Sequence, residues 1–204
     1  TRFVPLFRAI YLLPMTVSIA ITSVLWAILL DPTVGPANGA LRALGLKRGD
    51  RVAIVSPNRP EIVESECALY KLGLVKVALN SRLAPAELTD AFANAEPIAC
   101  IAGPEHWQMV DDAARDLPNA MQRIALDGSR GAPRGWADYE GLLAQAADTI
   151  EREVMQPADL AVLHYTSGST GKLKAAMQTV GNRFASLRKV IMGRMHAGPG
   201  DVLM

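Results

Sequence analysis

From residue 51 onward, short β-branched runs alternate with longer amphipathic segments, and this alternation leaves the chain very few architectures. RVAIVS (51–56), LVKVAL (74–79), PIACIA (97–102), QRIALD (122–127) and DLAVLHYT (159–166) each read as a strand. Their apolar runs suit strands buried on both faces. Between them, EIVESECALYKLG (61–73), APAELTDAFANAE (84–96), EHWQMVDDAARDL (105–117) and WADYEGLLAQAA (136–147) read as helices, and NRFASLRKVIMGR (182–194) as a final long one. ALRALGLKRGD (40–50) reads as the end of a helix and a turn. Gly73 closes the first of the intervening helices and Pro85 opens the second. A helix between successive strands implies a crossover, so the predicted fold class is α/β, a mostly parallel sheet with helices on both faces. Ligands of such sheets bind at the carboxyl ends of the strands.

The first thirty residues have a different texture. AIYLLPMTVSIAITSVLWAILL (9–30) carries no charge, with Arg2 and Arg8 before it and Asp31-Pro32 after it. About 20 apolar residues suffice to cross a bilayer. A membrane span or anchor, a buried core helix and a start foreign to the domain are the three readings of 9–30. For a span, the arginines place the N-terminus on the cytoplasmic side. In each apolar setting the segment is expected to be helical, because its backbone groups need partners. DPTVGPANG (31–39) then reads as a linker. The expected organisation is a hydrophobic segment over 1–31 and a domain over 38–204.

Charge and cysteine usage narrow the function classes. A net charge of +1 gives no reason to expect a nucleic-acid partner. Cys67 and Cys100 sit in apolar contexts without metal spacing and read as reduced thiols of a cytoplasmic protein. His106, His164 and His196 form no spaced ligand set.

The densest chemical signal is HYTSGSTGKLKAAM (164–177), directly after the apolar LAVL (160–163). Gly168 and Gly171 allow sharp turning and let backbone N–H groups approach an anion closely. Thr166, Ser167, Ser169 and Thr170 add hydroxyl donors, and Lys172 and Lys174 add charge, which strengthens hydrogen bonds to phosphate. The spacing is not that of a Walker A loop: Thr166 stands where its first glycine belongs, and Leu173 follows Gly171-Lys172. A flexible polar turn is the bland alternative.

YTSGSTGKLKAA (165–176) resembles the phosphate-binding signature of the adenylate-forming superfamily, [YF]-T-S-G-[ST]-T-G-x-P-K-[GA], which includes acyl-CoA synthetases, adenylation domains of peptide synthetases and luciferases. Tyr165 to Gly171, Lys174 and Ala175 match it. The similarity continues through residues 41–101, GNRFASL (181–187) and GPGDVLM (198–204), and so covers about 38–204. VALNSRLAPAEL (77–88) is similar to the acyl-CoA synthetase branch. Leu173 departs from the usual proline, and Val180 stands where a histidine is common.

The resemblance implies the incomplete N-terminal domain of the adenylate-forming fold, roughly the first third of such an enzyme; the apolar run 9–30 stands where the family's opening hairpin is usual and is expected to precede the domain as a hydrophobic helix. It implies ATP-dependent conversion of a carboxylic acid, expected to be a fatty acid, through an acyl-adenylate to its coenzyme A thioester, with Mg²⁺ on the phosphates. Thr166, Ser167, Gly168, Ser169, Thr170 and Gly171 would line the β- and γ-phosphates, with Lys174 as the cationic contact. Thr170 would approach Mg²⁺, and Lys172 falls on the signature's variable position. No residue of this stretch matches a catalytic one. The alternative from another class is a non-catalytic, membrane-tethered remnant or binding module of the same family.

Overall fold

A computed structural model of the chain describes residues 36–146, 153–167 and 173–193. Seven strands form one sheet: β1 (Arg51–Val55), β2 (Val75–Ala78), β3 (Ala99–Ala102), β4 (Gln122–Ala125), β5 (Ala137–Asp138), β6 (Leu160–Ser167) and β7 (Leu173–Thr179). Their spatial order is β5-β4-β3-β1-β2-β6-β7. Every neighbouring pair is parallel except β6 with β7.

Six α-helices accompany the strands among the described residues: α1 (Pro36–Ala43), α2 (Pro60–Lys71), α3 (Pro85–Ala95), α4 (Trp107–Ala114), α5 (Tyr139–Ala144) and α6 (Val180–Gly193). Strand residues alternate between two packed layers. Val52 and Ile54 join Leu41, Leu69 and Leu72 beneath α1 and α2. Ala53 and Val55 join Leu88, Phe92 and Val110 beneath α3 and α4. This is why the inner strands are apolar throughout: neither face is wet.

The helix limits follow local chemistry. Pro60 and Pro85 occupy first-turn positions, where a missing N–H costs nothing. The Glu87 carboxylate reaches back to accept from the Ala84 N–H at 2.8 Å. Gly73 ends the α2 region at φ +67°, where a Cβ would also lie 2.9 Å from Met155 Sδ and 3.0 Å from Arg48 Cγ. Only glycine meets both demands.

Two expectations are corrected. Strand and helix do not alternate throughout: Leu173–Thr179 is an antiparallel edge strand, so the segment after β6 returns as a hairpin before any helix begins. Residues 136–147 are not one helix. Ala137–Asp138 first pairs with β4, and α5 starts at Tyr139, where Asp138 caps it by accepting from the Gly141 N–H at 2.8 Å. The hydrophobic segment 9–30, and with it the proposed preceding helix, lies outside the described residues. No helix among the described residues is long and apolar enough to cross a membrane.

Candidate functional site

Strands β1 to β6 run parallel, so their carboxyl ends share one edge of the sheet. The chain leaves β1 toward β2 on one side and leaves β3 toward β4 on the other, which puts the reversal of strand order between β1 and β3. Ligands commonly enter sheets at such a reversal. Here the chain's own side chains meet there. A Cβ built on Gly103 would lie 2.8 Å from Glu105 Oε1 and 3.0 Å from Ser56 Oγ. Beside them the buried His106 donates from Nε2 to the Ser81 carbonyl at 2.8 Å.

The hairpin offers a more open arrangement. β2 pairs with β6 only from Val162 to His164. Tyr165, Thr166 and Ser167 run past that ladder and pair with β7 alone, opposite Ala175, Lys174 and Leu173. The stem thus projects beyond its neighbour at the carboxyl edge.

Of the expected site residues, the structure brings Thr166 and Lys174 together. They are directly opposite in the antiparallel ladder, so their side chains share one face, and both residues are exposed. Among the described residues no carboxylate forms an ion pair with Lys174. Its charge is available to an anion at the stem's end. The Ser167 backbone closes the ladder opposite Leu173. Gly168, Ser169, Thr170, Gly171 and Lys172 lie outside the described residues. Leu173, unlike the proline usual at its position in the signature, keeps an N–H, and β7 begins there.

Three supports of the stem were missed in reading the sequence. The Tyr165 hydroxyl donates to Asn94 Oδ1 at 2.6 Å, tying β6 to α3. Burial pushes the Tyr165 phenol above its ordinary range, so it keeps the proton it donates. His164 Nε2 lies 3.2 Å from Gln178 Oε1 across the ladder. At the far end of β7, the Thr179 hydroxyl accepts from the Asn182 N–H at 3.2 Å and donates to Asn182 Oδ1 at 2.8 Å, capping α6. The T-x-x-N spacing of TVGN (179–182) was the available signal for that cap. It works through the outer two residues and leaves Val180 out.

The chemistry of this edge suits a phosphate better than a bare metal ion. A lysine and a hydroxyl on one face supply donors and positive charge. Among the described residues no group of three or more His, Cys, Asp or Glu side chains is placed to hold a metal.

Comparison with known proteins gives a consistent result. A model of the AMP-binding enzyme family matches residues 36–204. A 3-hydroxybenzoate–CoA ligase of Aromatoleum sp. (strain CIB) is 31% identical over 154 residues, 74% of this chain and 28% of the relative. A feruloyl-CoA synthase of Amycolatopsis sp. is 37% identical over 153 residues, 72% of this chain and 26% of the relative. Among solved structures, the anthranilate CoA ligase AuaEII in complex with anthranoyl-AMP superposes with a TM-score of 0.70 at 22% identity, covering 78% of this chain and 30% of that one. The chain thus spans under a third of the length of these proteins.

Proposed function

Since the chain belongs to the AMP-binding enzyme family, we propose that its hairpin β6–β7 holds the phosphates of ATP in an enzyme that joins a carboxylic acid to coenzyme A. The observation that carries this reading is the exposed Thr166–Lys174 pair at the projecting end of the stem, with Lys174 unpaired among the described residues. In this reading residues 38–204 are part of the adenylation domain.

The reaction proceeds in two displacements. A carboxylate oxygen of the acid attacks the α-phosphorus of ATP, forming the acyl–phosphate bond while the α–β bridge breaks and pyrophosphate leaves. The thiolate of coenzyme A then attacks the acyl carbon, and AMP departs as the carbon–oxygen bond breaks. Negative charge grows on the departing β- and γ-phosphates in the first step. Donors fixed in advance around them lower the barrier without reorganising. Lys174 would meet that charge directly, Thr166 and Ser167 would begin the cradle, and Gly168, Ser169, Thr170 and Gly171 would complete it. Mg²⁺ bound to the same phosphates supplies further charge neutralisation.

For the acid, the names of the two curated relatives, acting on hydroxybenzoate and ferulate, favour an aromatic carboxylic acid over the fatty acid expected from sequence. The test is exchange of labelled pyrophosphate into ATP by the complete gene product, with benzoate, 3-hydroxybenzoate, ferulate and fatty acids supplied singly. Exchange that depends on an aromatic acid is the expected result. Exchange with fatty acids alone overturns the substrate class, and none with any acid overturns the activity.

A further inference from the structure

The sheet face opposite α3 carries a cluster of four charged and aromatic side chains from three elements. On α2, Glu66 accepts from Lys76 Nζ of β2 at 2.7 Å and from the Tyr70 hydroxyl at 2.9 Å. Arg183 of α6 brings Nη2 to 3.6 Å from Glu66 Oε1, and its guanidinium lies 5.1 Å from the centre of the Tyr70 ring. One carboxylate therefore joins two cations, and one of those cations also stacks on the neighbouring ring. Burial by itself pushes the Glu66 carboxyl up. The hydrogen bond and charge of Lys76, with Tyr70 and Arg183, outweigh it and hold the group below the ordinary carboxylate range.

The position of Arg183 gives the cluster a consequence for the phosphate hairpin. Among the described residues β7 is an edge strand, paired on one side only. Its first residue follows residues 168–172 in the sequence, and its last, Thr179, passes directly into α6. The start of α6 rests on the preceding turn through the Val180 N–H to Asp159 carbonyl and Gly181 N–H to Pro157 carbonyl bonds, both 2.9 Å. Beyond that, Asn182 and residues 184–186 are exposed, with Phe184 at 70%. Among the described residues, Arg183 fastens α6 to α2 through Glu66 and Tyr70. The two strands of the stem thus have separate anchors: Tyr165 ties β6 to α3 on one face, and Arg183 ties β7, through α6, to α2 on the other.

We propose that Arg183 is a positioning residue for the phosphate hairpin: seated on Tyr70 and Glu66, it fixes α6 and thereby the placement of β7 and Lys174. The consequence for ATP rests on the phosphate-holding reading of the hairpin; the anchoring itself does not. A binding group must be held within about half an ångström of its working position by its supporting residues. Arginine suits the task because its planar group pairs with the carboxylate and stacks on the ring at once, which lysine cannot do equally well.

Amide hydrogen exchange of the chain, read separately over 173–179, 51–55 and 99–102, tests the anchoring in wild type, Arg183→Ala and Arg183→Lys. Loss of the stacked ion pair is expected to speed exchange over 173–179 about fivefold in Arg183→Ala, with Arg183→Lys between it and wild type. Exchange over 51–55 and 99–102 is expected to stay unchanged. No change over 173–179 overturns the proposal, and so does an equal rise in all three regions, which reports global opening instead. In the complete enzyme Arg183→Ala is expected to raise KM for MgATP about fivefold with kcat within about twofold, because Arg183 touches no reacting group. A fall in kcat at unchanged KM overturns that role. If wild type neither binds nor uses MgATP, the phosphate reading fails, while the exchange pattern still decides the anchoring.

Discussion

Strand β3 buries all four of its residues, whereas β7 leaves Lys174, Ala176 and Met177 exposed. The two strands belong to one sheet, yet they sit in different solvents. β3 lies between two strands and two helix layers, so substitution there opens a void or buries a polar group. Among the described residues β7 has one neighbour and one largely wet face, so its residues are free to serve a ligand. The interior supplies rigidity, and the projecting hairpin supplies exposed donors at the place where the parallel strands end. Separating the two jobs lets the site hold a lysine that is unpaired among the described residues without the cost of burying its charge.

This contrast is easiest to break at Phe92, fully buried beneath the sheet. Phe92→Ala is expected to cost about 3–5 kcal/mol of stability, read by denaturant unfolding. A loss below about 1 kcal/mol would mean that the interior is far more plastic than its close packing implies.

At the hairpin the expectation reverses. Lys174→Ala should leave the unfolding midpoint in place and weaken MgATP binding by roughly 1.5–3 kcal/mol, the worth of a hydrogen bond to a charged group. Lys172→Ala should cost about 1 kcal/mol or less, as befits a screened charge near the same phosphates. Titration calorimetry at fixed Mg²⁺ and salt compares them. Equal losses, or a larger one at Lys172, would move the cationic role to the other lysine.

Acid titration probes the link between the two regions. The folded-state pKa of Glu66 is depressed, so its stabilisation is fully present above the unfolded value of about 4.3 and is lost as pH falls through the lower folded value. Unfolding measured across this acid window should show that loss in wild type. Glu66→Gln should lack that component and be less stable at neutral pH, where Lys76 is left without its carboxylate. An identical acid response in both proteins would remove Glu66 from the account.

The smallest effect belongs to Met177, 73% exposed on β7. Met177→Thr should change stability by no more than about 0.5 kcal/mol in chemical denaturation. A larger destabilisation would show that this side of the hairpin carries packing after all.

The sequence made much of the interior legible because RVAIV and ACIA are apolar at every or nearly every position, as strands between two helix layers must be. β7 escaped notice for the opposite reason. In LKAAMQT, alanines at both 175 and 176 and an exposed methionine at 177 blur the period of two that marks a half-buried strand. β5 escaped because two residues, Ala137 and Asp138, are too few to show any period. The signature residues of the site were legible as a string of glycines, hydroxyls and lysines. Their supports, Asn94 and the Glu66 cluster, are polar residues within helices and carry no mark of what they hold.

Composition and order along the chain therefore determined most of the strands and helices, though not β5 or β7, and where donors for an anion are concentrated. These are local properties, set by side-chain shape, hydrophobic period and backbone freedom. The tertiary structure alone decided that β1 lies between β2 and β3, that β7 turns back against β6, and that Thr166 faces out beside Lys174. It also decided that Tyr165 reaches Asn94, 71 residues away, and that Arg183 reaches Glu66. Such choices depend on which apolar faces can be covered together in space, and a one-dimensional pattern records that a face exists without recording its partner.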